Sequence, residues 1–141
     1  MDYSLTNIRW LRVIGAALLV IALSLLIVIA ISAAYAFILA FEARGKPDQA
    51  AIGHFAASVS RWLIPLLEMS LTFFASAVVA RRGDSTVTIE GLIVGILVGL
   101  LSLGVTLVFV HHLGLYSPIY FFITVGLGWL GSIVRKKKNT V

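Results

Sequence analysis

Four long runs of residues with almost no charge constrain this chain more than any other feature. The charged residues lie near the N-terminus, at 42–48, at Arg61, at 81–90 and at the C-terminus, and Glu68 is the exception. About 20 helical residues cross the ~30 Å hydrocarbon core of a bilayer. Only 12% of the 141 residues are charged and 60% are apolar, unlike a soluble domain of this size. The pattern predicts an all-α integral membrane protein, a four-transmembrane-helix bundle built from two antiparallel helical hairpins.

Turn-forming residues between the runs give the expected helix bounds within one transmembrane domain, 1–141. We expect helix 1 over about 9–43, helix 2 over about 48–81, helix 3 over about 87–111 and helix 4 over about 117–135. Gly45 and Gly83 suit helix ends. Pro65 lacks a backbone donor and predicts a kink in helix 2. The start of helix 2 is too polar for lipid, so we expect the hairpin of helices 1 and 2 to extend beyond the bilayer on the outer side.

A cleaved signal peptide is the alternative for the first apolar run. Arg9 and Arg12 would be its basic start, and Ala34-Tyr35-Ala36 has the form of a cleavage site. The run is about twice the length of an ordinary signal-peptide core and continues past that site. This length favours a retained helix.

The distribution of Lys and Arg predicts the orientation. The N-terminus, the second turn and the C-terminal tail hold eight of these residues, and the opposite side holds three. Because cytoplasmic loops carry the excess of basic residues, both termini should be cytoplasmic in a multi-pass protein of the cell (inner) membrane. The net charge of +5 comes from residues that flank the spans. We therefore expect the lipid bilayer as a partner, and no nucleic acid.

Helix 2 carries a stripe of polar residues and one proline, which we call the polar stripe. Spacings of three and four place its members on one helix face: His54, Ser58, Arg61, Pro65, Glu68 and Thr72. Tyr35 and Ser24 of helix 1 should lie near the depths of Ser58 and Glu68. The stripe should face other protein or water rather than lipid.

Glu68 is the most specific feature of this stripe. It lies seven residues, or ~10 Å, inward from Arg61, where a carboxylate needs a proton, a partner or water. Arg61 should extend the other way, toward the membrane surface. With no cation at its depth, Glu68 should favour its neutral form, hydrogen-bonded to a serine, a tyrosine or a backbone carbonyl.

Helix 3 contains a series of small residues, Gly91, Gly95 and Gly99. Glycines at this spacing allow two helix backbones to approach closely. The series predicts a helix-packing face, used either within the bundle or in self-association. Gly128 and Ser132 give helix 4 a second, weaker face of this kind.

The sequence contains no recognisable catalytic or metal-binding motif. Cysteine is absent, and so are a Walker loop, a dinucleotide fingerprint and an HExxH motif. His111 and His112 would point about 100° apart on a helix and lack further ligands nearby in sequence. We expect no enzyme, no cofactor and no metal. Two functions stay open: a noncatalytic subunit or scaffold that associates with a protein partner or as a homo-oligomer, and a small oligomeric transporter or channel in which Glu68 lines a polar path.

Overall fold

A computed structural model of the protein describes residues 8–45, 48–80, 87–110 and 116–138. They form four α-helices: α1 (Trp10–Glu42), α2 (Gln49–Val79), α3 (Val87–Val110) and α4 (Tyr116–Lys138). Each helix contains a stretch that is long and apolar enough to cross a bilayer. The prediction of an all-α chain with four such helices is confirmed. Helix α2 continues as one element through Pro65.

Short-range hydrogen bonds mark the end of α1 and the start of α2, on either side of residues 46–47. Arg44 and Gly45 both have positive φ, 51° and 90°. The Gly45 amide donates to the carbonyl of Ala40 at 2.8 Å, which closes the last turn of α1. At the start of α2, the Asp48 carboxylate accepts the amide of Ala50 at 2.9 Å and so caps the helix. Lys46 and Pro47 lie outside the described residues, as does the predicted turn around Gly83.

The chain divides into two compact units, and helices α1 and α2 each contribute to both. The first unit comprises Met1–Ile21 and Glu68–Val141. Its apolar core joins the start of α1 to α3, and half-buried residues of α2 pack against it. The buried core residues are Ile8, Val13, Ala17, Val20, Val94 and Val98.

The second unit, Ala22–Leu67, contains the remaining parts of α1 and α2. The rings of Tyr35 and Phe55 stack here, with centroids 3.8 Å apart and planes inclined by 17°. This stack joins the two helix segments inside the unit. Large apolar side chains of the same segments are exposed, including Phe37, Phe41 and Trp62.

Besides its apolar core, the first unit buries several polar side chains and exposes large apolar ones. Its buried polar residues are Glu68, Thr72, Ser76, Glu90, Thr124 and Ser132. Leu11, Phe74 and Phe122 are among its exposed large apolar residues. Proteins that fold in water usually have the reverse arrangement.

Candidate polar site

Glu68 lies at the start of the buried part of α2. Its side chain is only 3% exposed, and Thr72 and Ser76 follow it at successive helical turns, both fully buried. Residues four apart share a helix face, so these three side chains form one polar row. The Thr72 hydroxyl donates to the Glu68 carbonyl at 2.5 Å within the helix. The Glu68 carboxyl is therefore left to interact with other helices.

The carboxyl of Glu68 meets hydroxyl groups from two other helices. The Tyr120 hydroxyl on α4 donates a hydrogen bond to Oε2 of Glu68. The Ser102 side chain on α3 lies within hydrogen-bonding reach of both groups. We call Glu68, Ser102 and Tyr120 the polar triad. It joins α2, α3 and α4 through one buried acid, without a basic residue in the triad.

A second polar contact between helices lies two turns along α2. The Ser76 hydroxyl donates to the carbonyl of Gly91 on α3 at 3.3 Å. Gly91 has no side chain to cover that carbonyl, so the hydroxyl can reach the backbone directly. The polar row of α2 thus contacts α3 through Ser76 as well as through the triad.

Helices α3 and α4 approach so closely that no side chain fits between them at the glycine positions. A Cβ atom on Gly95 would lie 2.9 Å from the Thr124 carbonyl oxygen and 3.0 Å from Cα of Val125. One on Gly91 would lie 2.8 Å from the carbonyl oxygen of Gly128. Carbon atoms in contact normally stay ~3.5–4.0 Å apart. The backbone of one helix therefore packs directly on that of the other.

Gly99 and Gly131 extend this packing in different ways. A Cβ on Gly99 would meet the ring of Phe121 on α4 at 2.7 Å. Gly131 faces α2 instead, and a Cβ there would overlap the carbonyl of Phe73 and lie 3.3 Å from Cβ of Ser76. The sequence carries no signal for the Gly131 contact, because no glycine lies four residues before or after it.

The polar stripe predicted along α2 does not have one environment. His54, Ser58 and Arg61 are exposed and Pro65 is half-buried, whereas Glu68 and Thr72 are buried. Only the last two take part in the polar row described above. The exposure of the polar stripe therefore decreases along α2, from exposed residues at its start to buried residues at its end.

Depth matching along the predicted hairpin placed Tyr35 near Ser58 and Ser24 near Glu68, and it did not identify Tyr120. Tyr35 of α1 stacks on Phe55 in the second unit, and the hydroxyl that contacts Glu68 belongs to Tyr120. A signal for Tyr120 was present in the sequence. It lies four residues, or ~6 Å, into α4, and Glu68 lies six residues, or ~9 Å, past Trp62, so a bilayer surface near Tyr116 and Trp62 would give the two side chains similar depths.

A second buried acid, Glu90, joins the starts of two helices. It is 7% exposed and lies in the first turn of α3. Its Oε1 accepts the backbone amide of Arg9, just before α1, at 3.2 Å. A negative charge is favourable at a helix N-terminus, because the unpaired amides there carry partial positive charge. Glu90 therefore stabilises the start of α3 and also contacts the residue before α1.

The ranges that the structure describes contain no group of three or more His, Cys, Asp or Glu residues placed to hold a metal ion. His111 and His112 lie outside these ranges. Comparisons with protein-family models, with curated proteins and with solved structures found no match. The class of protein is therefore defined by its own features: four helices long and apolar enough to span a membrane, and a buried carboxyl held by hydroxyl groups.

Proposed function

We propose that the chain is a multi-pass protein of the cell (inner) membrane, with two antiparallel helical hairpins and both termini in the cytoplasm. The side-chain distribution of the first unit supports insertion, since lipid favours exposed apolar residues and buried polar ones. The excess of Lys and Arg at the termini and the second turn supports the orientation.

Within the membrane, the protein acts as a noncatalytic subunit or scaffold that associates with other membrane proteins or with itself. The polar triad is the observation that carries this proposal. The Glu68 carboxyl is bonded to Tyr120 and is almost completely buried. The glycine contacts pack the backbones of α3 and α4 closely together, and these are the helices that carry Ser102 and Tyr120. These features support a role for the acid in joining helices, in place of a role in lining an open path.

The oligomeric state and the associated proteins test this proposal. The protein would be extracted from native membranes, and its mass would be measured by light scattering in detergent and in lipid nanodiscs. We expect a defined homo-oligomer or a stable complex with another membrane protein. A monomer in every condition, with no copurifying or crosslinked protein, would remove support for a scaffold.

The alternative function is that of a transporter or channel, and a measurement of proton flux tests it. Proteoliposomes containing a pH-sensitive dye would report proton flux for the wild type and for Glu68→Gln. We expect flux no greater than in protein-free vesicles at any pH. A flux that the folded Glu68→Gln variant abolishes would show that the acid carries protons and would overturn the scaffold interpretation.

A further inference from the structure

A groove lies between α1 and α2 within the second unit. Its volume is about 400 Å³, and its walls are Ile31, Ser58, Val59, Trp62, Leu63 and Leu66. Small-molecule sites typically measure about 300–1,000 Å³. From Ser58 to Leu66 the groove follows α2 for ~12 Å, because each helical residue rises ~1.5 Å. This length suits a segment of an extended hydrocarbon chain.

The groove is amphiphilic along its length. Ser58 stands at one end, and Leu63 and Leu66 line the other. Arg61 lies one helical turn from Ser58 on α2 and is exposed, although it is not one of the residues that line the groove. Trp62, which is 73% exposed, forms part of the wall between the polar and apolar ends. Tryptophan and arginine side by side are typical of the boundary between lipid and water.

The polar groups at this end are not used by the described part of the chain. Neither the Ser58 hydroxyl nor the Arg61 guanidinium has a hydrogen-bond or ion-pair partner there. Asp48, just before α2, lies 13 residues or ~20 Å from Arg61 along the axis, and Glu68, seven residues away in the other direction, is bonded to Tyr120. His54 is also exposed, one turn before Ser58. The polar end therefore presents an uncompensated positive charge beside a free hydroxyl donor.

We propose that the groove binds one anionic phospholipid, an inference that depends on the membrane insertion proposed above. The acyl chain lies against Val59, Leu63 and Leu66, and the phosphate meets Arg61 and Ser58. A guanidinium binds phosphate oxygens through two parallel hydrogen bonds. An anionic headgroup is favoured over a zwitterionic one, because the ammonium of a zwitterionic lipid already neutralises its own phosphate.

Native mass spectrometry of the full-length protein tests this assignment. The protein would be supplied with phosphatidylglycerol or phosphatidylcholine of identical acyl chains. We expect phosphatidylglycerol to be retained about tenfold better, the size of effect that one charge-assisted hydrogen bond produces. Arg61→Gln should remove this preference and Arg61→Lys should keep part of it. Arg44→Gln is the matched control, since Arg44 is also exposed but lies at the end of α1, whereas Arg61 lies one helical turn from Ser58 on α2.

A second variant tests the acyl-chain contact independently of the headgroup contact. Val59→Phe narrows the apolar part, so it should lower retention of both lipids and leave their ratio unchanged. The soluble deacylated headgroup, glycerophosphoglycerol, should not compete. Equal retention of both lipids by the wild type, or equal effects of Arg61→Gln and Arg44→Gln, would overturn the proposal. Competition by the deacylated headgroup as strong as by the lipid would also overturn it, in favour of a phosphate site.

Membrane fractionation distinguishes failure of this inference from failure of the proposed function. A wild-type protein in the membrane fraction that shows no lipid preference contradicts the groove assignment alone. A wild-type protein in the soluble fraction contradicts membrane insertion, and with it both proposals. Circular dichroism of each variant verifies that the helices are retained.

Discussion

The Tyr120 hydroxyl on α4 donates a hydrogen bond to the Glu68 carboxyl on α2, and 52 residues of sequence separate the two. Because Glu68 is 3% exposed, water cannot replace a partner that is removed. A buried polar group without a partner costs about 1–3 kcal/mol. The two side chains therefore depend on each other energetically.

Tyr120→Phe should destabilise the protein by about 1–2 kcal/mol, because it removes only the hydroxyl that faces Glu68. Reversible unfolding in mixed micelles would measure the change in the free energy of unfolding. Tyr35→Phe is the control. It removes a hydroxyl from a tyrosine whose ring stacks on Phe55, and it should change stability by less than about 0.5 kcal/mol. Equal effects of the two variants would contradict the role of the triad.

Substitutions of Glu68 separate hydrogen bonding from charge. Glu68→Gln keeps the shape and an acceptor oxygen, so we expect it to be tolerated. Glu68→Leu should cost more than Gln, because it leaves the hydroxyls of Tyr120 and Ser102 without this partner. Combined with Tyr120→Phe, Glu68→Leu should show a coupling energy of about 0.5–3 kcal/mol in a double-mutant cycle. Additive effects would indicate that the two residues act independently.

The glycine contacts between α3 and α4 predict a position-dependent response to a single methyl group. Gly95→Ala places that group 2.9 Å from a backbone oxygen and should destabilise the protein by about 1–3 kcal/mol. Gly104→Ala on the same helix meets nothing within 4 Å and should be neutral or stabilise by up to about 1 kcal/mol. Thermal unfolding of both variants would compare them. Similar midpoints would mean that α3 and α4 do not pack on their glycines.

Glu90 should matter more to stability than an exposed acid does. Glu90→Ala removes the acceptor of the Arg9 amide and a negative charge from the first turn of α3, at a cost of about 1–2 kcal/mol. Glu42→Ala, at the exposed end of α1, should stay within about 0.5 kcal/mol of the wild type. Chemical denaturation in micelles would compare the free energies of unfolding of the two variants. A larger effect at Glu42 would contradict the assigned contact.

The orientation can be tested by thiol labelling, since the natural sequence contains no cysteine. Ala43→Cys, exposed at the end of α1, should react with an impermeant reagent in intact cells. Gly83→Cys, outside the described residues, should react only after the membrane is permeabilised. The reverse pattern would place both termini outside and contradict the positive-inside argument.

The four helices could be predicted from the sequence because length, apolar composition and turn residues are local properties. The spacing of Gly91, Gly95 and Gly99 also identified a face, but it did not say which helix would cover it. The sequence indicated a serine, a tyrosine or a backbone carbonyl as the partner of Glu68, but it did not identify Tyr120 and Ser102 in particular. Helical periodicity fixes which residues share a face, whereas the selection of Tyr120 depends on how the faces of different helices combine. The contact of Gly131 with α2 could not be predicted either, because Gly131 belongs to no repeat in the sequence.

The contact between Glu90 and Arg9 has a consequence for how the protein is made. The two residues are 81 positions apart, so the amide before α1 leaves the ribosome well before its acceptor is synthesised. Chains are produced from the N-terminus onward, and early segments must wait for later ones. A fragment that stops after α2 therefore lacks the Glu90 side chain that accepts the Arg9 amide before its first helix. We therefore expect a late step in the folding of this protein, in which the contact with α3 fixes the beginning of α1.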